Sequence, residues 1–70
     1  MNNNFVVDGK EYHVLFTYDS FGGGKNNLDI AHIYEKGVGW TPMETGTSVN
    51  GKEAAARNAK RNLMRKLRKA

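Results

Sequence analysis

The chain has 70 residues, 39% of them hydrophobic, with 11 Lys or Arg against 7 Asp or Glu and a formal net charge of +4. A chain of this length forms one small domain, residues 1–70, which buries only about 60% of its unfolded surface. It has no cysteine, which excludes disulfides, thiol catalysis and cysteine-based zinc sites. No apolar run approaches the ~20 residues of a membrane-spanning helix, and Met1–Asn4 lacks the basic and apolar regions of a secretory signal. We therefore expect a cytoplasmic protein with no membrane partner and with residues 1–4 disordered.

The first predicted elements are two strands that flank the dipeptide Asp8-Gly9. Asp-Gly between β-rich segments is typical of a two-residue type I′ hairpin, because both turn residues adopt positive φ. In the second strand, apolar residues alternate with polar ones, so every second side chain lies on the same face. The predicted core face carries Tyr12, Val14, Phe16 and Tyr18.

The glycine-rich segment 19–27 predicts the tip of a second, longer hairpin, since ordered glycines carry a large entropic cost. The next strand, residues 28–35, has apolar side chains on both faces and is therefore expected in the middle of the sheet. Residues 40–47 predict a weaker strand. Pro42 has no N–H group to donate, so we expect this strand to be at an edge or to be bulged.

Residues 51–69 predict one helix. Asn50 is a favourable N-cap, and Glu53, three residues later, completes a capping box. An apolar stripe recurs at the spacing of one buried face, and its alanines allow the helix to approach a sheet closely. The stripe consists of Ala56, Ala59, Leu63 and Leu67, with Ala55 and Met64 beside it.

These elements predict an α+β domain. An antiparallel meander of three to four strands over residues 5–47 has one C-terminal helix, residues 51–69, packed on one of its faces. The other face of the sheet is then uncovered.

Charge divides the chain into two regions. Residues 1–49 hold three bases and six acids, net −3, whereas residues 50–70 hold eight bases and one acid, net +7. Such asymmetry indicates an anionic partner for the basic helix. Bases on the helix surface can neutralise phosphates and release counterions, and arginine suits phosphate and base-edge contacts better than lysine. The predicted nucleic-acid-binding residues are Lys52, Arg57, Lys60, Arg61, Arg65, Arg68 and, from the glycine loop, Lys25.

Catalytic chemistry has little support in the sequence. His13 and His32 are the only histidines, and no third ligand with a metal-binding spacing accompanies them. Neither serine, Ser20 or Ser48, has a paired histidine that would activate it. We therefore predict a protein that is not an enzyme and has no cofactor and no metal.

The last strand and the helix resemble part of a known family. Thr45-Gly46-Thr47-Ser48 leads to a helix containing Lys52-Glu53-Ala54-Ala55-Ala56. This is similar to the C-terminal β-β-β-α part of double-stranded-RNA-binding domains, whose first helix has no counterpart here. The resemblance implies RNA binding and a phosphate contact for Lys52. The layout is also similar to the arm-binding domains of phage integrases, which use a three-stranded sheet to bind DNA.

The sequence leaves a second class of function open. The chain also suits a small phage-type protein-binding module, or an inhibitor of a host nucleic-acid enzyme, that acts through the open sheet face. Homodimerisation through that face is part of the same hypothesis. The predicted contact residues for a host protein are Leu15, Ile33 and Phe21.

Overall fold

The computed structural model describes residues 4–21 and 26–69. It consists of a four-stranded antiparallel sheet, in the order β1-β2-β3-β4, and one C-terminal helix. This confirms the predicted α+β fold. The elements are β1 (Asn4–Val7), β2 (Lys10–Phe21), β3 (Asn26–Glu35), β4 (Glu44–Ser48) and α1 (Lys52–Lys69).

The first hairpin has the predicted turn. Asp8 and Gly9 both adopt positive φ, 51° and 79°, and Val7 pairs with Lys10 directly across the turn. Asn4 already belongs to β1, so the expectation of disorder is wrong for this residue, while residues 1–3 lie outside the described part of the chain.

The last strand is shorter than predicted. It begins at Glu44 instead of Trp40, because residues 40–43 leave the sheet around Pro42. The amide of Met43 donates a hydrogen bond of 2.8 Å to the carbonyl of Ile33, where the chain joins the ladder. As expected from Pro42, β4 is an edge strand, and β3 lies in the interior of the sheet between β2 and β4.

The core lies between the helix and one face of the sheet. Its sheet side consists of residues that face each other across β2, β3 and β4, such as Val14 opposite Ile33 and Ala31 opposite Gly46. The helix contributes one side chain per turn at intervals of four residues, as expected for a single buried face. The buried apolar residues of the described chain are Tyr12, Val14, Ala31, Ile33, Ala55, Ala59 and Leu63.

Gly46 is the point of closest approach between the helix and the sheet. A Cβ atom at this position would lie 2.6 Å from the Cα of Ala59 and 2.7 Å from the carbonyl oxygen of Ala55, and closer still to the amide nitrogen of Ala59. No real Cβ tolerates such distances, so the backbone of α1 rests directly on the backbone of β4. This contact therefore requires glycine at position 46 and side chains no larger than a methyl group at positions 55 and 59.

The outer edge of β4 is covered by side chains of the helix. The Nδ2 amides of Asn58 and Asn62 donate to the carbonyls of Thr47 and Thr45, at 2.9 and 3.0 Å, and Lys66 Nζ donates to the carbonyl of Met43 at 3.0 Å. Four helical residues rise about 6.0 Å and two strand residues about 6.7 Å, so the two periods match over this length. An edge strand that would otherwise offer free carbonyls to another chain is thereby blocked.

The helix begins one residue later than the predicted capping box requires. Gly51 precedes its first residue with φ of 107°, a conformation that favours glycine, and its carbonyl accepts the first helical bond from Ala55. Asn50 instead donates its backbone N–H to the hydroxyl of Ser48. The Asn50 N-cap prediction is therefore wrong, because the tight turn from β4 into α1 requires the left-handed glycine.

We expect Gly46→Ala to lower the free energy of unfolding by about 3 kcal/mol, because overpacking that must displace backbone costs at the upper end of the usual range. Urea unfolding measures it. Thr47→Ala on the neighbouring, exposed strand position is the control and should cost less than about 1 kcal/mol. Equal stabilities of the two variants would contradict the close helix–sheet contact.

We expect Leu63→Ala to lower the free energy of unfolding by about 2–4 kcal/mol, since Leu63 is fully buried at the centre of the helix–sheet interface. Met64 is 42% exposed and provides the matched control as Met64→Ala. Thermal or urea denaturation that shows the same loss for both variants would mean that the helix packs through a different face.

Candidate nucleic-acid interface

Four arginines form a ridge along the solvent side of α1. At about 100° per residue, Arg57, Arg61, Arg65 and Arg68 fall within an arc of roughly 80° that lies opposite the buried Ala55–Ala59–Leu63 stripe. All four are exposed. The ridge extends for about 16 Å along the helix axis, at 1.5 Å per residue. These residues are called the arginine ridge below.

The described lysines of the helix lie on its sheet-facing sides. Lys52 Nζ lies 5.8 Å from the ring centre of Phe16, and Lys60 Nζ lies 4.9 Å from that of Phe5. Lys66 donates to β4 on the other side of the helix. The six predicted helix cations therefore divide by residue type: arginines face solvent, whereas Lys52 and Lys60 lie over aromatic rings.

None of the ridge arginines forms an ion pair among the described residues, although Glu44 lines a groove together with Arg65. Within residues 4–21 and 26–69 both ion pairs involve sheet-side lysines, Lys10 with Glu35 and Lys36 with Glu11. The helix has eight bases and one acid, while residues 4–21 and 26–48 have six acids and two bases. The molecule is therefore electrically polarised from the sheet to the ridge, which orients it toward a polyanion. Lys25, the remaining predicted base, lies outside the described residues.

The open sheet face does not present the predicted apolar patch. Ile33 is fully buried under the helix, so its prediction as a contact residue for a partner is wrong: alternation along β3 places it on the core face, with Ala31. Leu15 is 46% exposed and lies opposite His32, with Ile30 and Tyr34 at the neighbouring positions of β3 on the same face. The side chain of Phe21 lies outside the described part of the structure.

An aromatic cluster lies on the open face of the sheet, around Trp40. Trp40 is 76% exposed. Its ring stacks on that of His13, with centres 6.4 Å apart and planes 10° from parallel, and meets Tyr34 edge-on at 5.8 Å. Its position in the loop before β4 has no periodic signal that indicates the face it covers.

His32 lies near the middle of the same face. Its Nε2 shares a hydrogen bond of 2.8 Å with the hydroxyl of Thr17, and its Nδ1 is buried without a hydrogen-bond partner among the described residues. The described residues contain no group of three or more His, Asp or Glu that could hold a metal ion, and their helix is not long and apolar enough to cross a membrane.

No protein-family model, curated protein or solved structure matches the chain. The resemblances to double-stranded-RNA-binding domains and to integrase arm-binding domains therefore stay predictions.

The division between lysines and arginines predicts different stability effects. Lys60→Gln should lower the free energy of unfolding by about 0.5 kcal/mol through loss of its cation–π contact, and this loss should vanish in a Phe5→Leu background. Arg61→Gln should show no such coupling to Phe5. A double-mutant cycle by urea unfolding measures both, and equal coupling for the two residues would contradict the division.

Proposed function

We propose that this protein binds nucleic acid through the arginine ridge and acts by binding, not by catalysis. The observation that carries the proposal is the set of four exposed arginines on one side of a helix, without a carboxylate partner among the described residues. The helix is held rigidly on the sheet by its opposite side. Binding therefore requires little ordering of the backbone that presents the arginines.

The energetics of such a surface are those of counterion release. Each phosphate that a ridge arginine neutralises frees condensed cations, so affinity falls as salt rises, with a slope of about 0.9 per contact on duplex DNA. The four ridge residues set an upper slope of about 3.6 from the ridge alone. Lys52 and Lys60 add to this only by leaving the rings of Phe16 and Phe5.

The outer face of the sheet supports this proposal over the alternative. Val6 and Leu15 are exposed, but they do not form one patch with the buried Ile33, and His13, Thr17 and His32 lie among them. The alternative, a protein-binding module or host-enzyme inhibitor, is favoured by one observation, the exposed Trp40 held on His13 and Tyr34. A rigid, exposed tryptophan is the type of residue on which protein interfaces concentrate their binding energy.

Replacement of Arg57, Arg61 and Arg65 by Gln tests the proposal. Glutamine keeps the helix propensity, so the fold is retained. Affinity for nucleic acid of any sequence should fall, and the salt slope should decrease by up to about one per lost phosphate contact. Fluorescence anisotropy at salt concentrations between about 50 and 300 mM measures both the affinity and the salt slope.

A pair of variants with equal charge provides the control. Arg61→Gln with Arg65→Gln and Lys10→Gln with Lys36→Gln each remove two positive charges, the second pair from the sheet side. Only the first should flatten the salt slope. Equal losses would mean that net charge, and not the ridge, determines binding. A parent protein without affinity at ~150 mM salt would favour the protein-binding alternative, for which Trp40→Ala is the first variant to examine.

A further inference from the structure

The segregation of arginine from lysine on the helix indicates a more specific interaction than phosphate binding. Screening of phosphate charge alone is served by either residue, because both are fully charged at neutral pH. Among the helix cations whose side chains the structure describes, those on the side opposite the sheet are nevertheless arginines, at positions 57, 61, 65 and 68. Arginine differs from lysine in its planar fork of donors, which matches two acceptors at once.

From this arrangement we propose that the arginine ridge enters the major groove of B-form duplex DNA and contacts the O6 and N7 acceptors of guanines. This inference rests on the proposed function and names its substrate class. Bidentate arginine–guanine pairs are the commonest specific contact in that groove. Lys60, at one flank of the helix, would reach the phosphates that border the groove by leaving the ring of Phe5.

The dimensions of the helix fit this groove. With its side chains a helix is about 10–12 Å across, and the major groove of B-form DNA is about 12 Å wide and 8.5 Å deep. Beside the ridge the helix carries Ala54 and Met64, so no large ring obstructs entry. The major groove of A-form RNA is deep and too narrow for side chains to be used in this way.

The position of the helix on the sheet leaves one flank open. The helix packs on β3 and β4, at one side of the sheet, and along the outer edge of β4 lies a layer formed by Asn58, Asn62 and Lys66. On the other flank Lys52 and Lys60 lie over Phe16 and Phe5. Cations therefore lie on both flanks where groove walls would approach, together with one carboxylate on each: Glu53 near Lys60, and Glu44 in a groove with Arg65 and Lys66.

The net negative charge of the sheet favours the same orientation of the protein on DNA, with the arginine ridge toward the duplex. Acidic residues outnumber basic ones six to two in residues 4–21 and 26–48, so a polyanion repels the sheet and attracts the ridge. A single nucleic-acid strand bound across the open face of the sheet, with its bases stacked on Trp40, would be repelled by the negative charge of the sheet. Binding of a single strand at Trp40 is therefore the competing result that the experiment below distinguishes.

Selection from a random 20-bp duplex DNA library with the full-length protein, followed by affinity measurements on the enriched site, tests the inference. We expect the selected site to contain guanine. The protein should bind this site about tenfold or more tightly as duplex DNA than as duplex RNA or as a single strand. Its affinity should fall about fivefold or more when the guanines are replaced by 7-deazaguanine, which lacks N7. Lysine at all four ridge positions should keep the salt slope but reduce the sensitivity to 7-deazaguanine, because the charge is retained while the planar pair of donors is lost.

The outcomes separate this inference from the proposed function. No enrichment, equal affinity for duplex DNA and duplex RNA, or indifference of the parent protein to 7-deazaguanine would overturn major-groove binding while leaving phosphate binding by the ridge in place. Lack of affinity for every nucleic acid would overturn both. Binding to single strands that is lost in Trp40→Ala and retained in the lysine variant would assign the interface to the open sheet face.

Discussion

The contact between Gly46 and the backbone of α1 is the constraint on which the rest of the structure depends. Because Gly46 has no side chain, the helix packs at Ala55 and Ala59 directly against the backbone of β4. At this spacing, three helical side chains reach the backbone carbonyls along the strand edge. A larger spacing would remove these bonds together with the packing of Leu63. The glycine thus sets both the depth of the core and the coverage of the edge.

This close contact also determines which side chains remain for binding. Small residues and Leu63 occupy the sheet-facing side, asparagines cover the strand edge, and the lysines at positions 52 and 60 lie on phenylalanine rings. What is left on the solvent side is the arginine ridge. The side of the helix that stabilises the fold and the side that we propose for binding are therefore opposite, so substitutions in the ridge should leave the core intact.

Much of the fold follows from local rules in the sequence. The Asp8-Gly9 turn, the alternation from Tyr12 to Phe16 and the helical spacing up to Leu67 predict the element order and the core face, but Tyr18, predicted on the same face, is 68% exposed. Three features do not follow from such rules. A glycine in a strand, such as Gly46, predicts only weaker strand pairing, and its contact with the helix depends on the tertiary structure. Gly51 adopts positive φ because of the turn between β4 and α1, which the sequence alone does not define. Trp40 lies in a loop, where no hydrophobic periodicity predicts its exposure. For the site, the sequence predicts a basic helix, but the separation of arginines from lysines depends on where the sheet and the phenylalanines lie.

The claim that the ridge is the binding surface can be tested directly by an NMR titration of the isotopically labelled protein with a short duplex DNA. The account predicts that the side-chain Nε–Hε signals of Arg57, Arg61, Arg65 and Arg68 shift during the titration, while the indole N–H of Trp40 stays in place. Shifts at Trp40, His13 and Tyr34 with unchanged arginine signals would contradict it and assign the binding to the open face of the sheet.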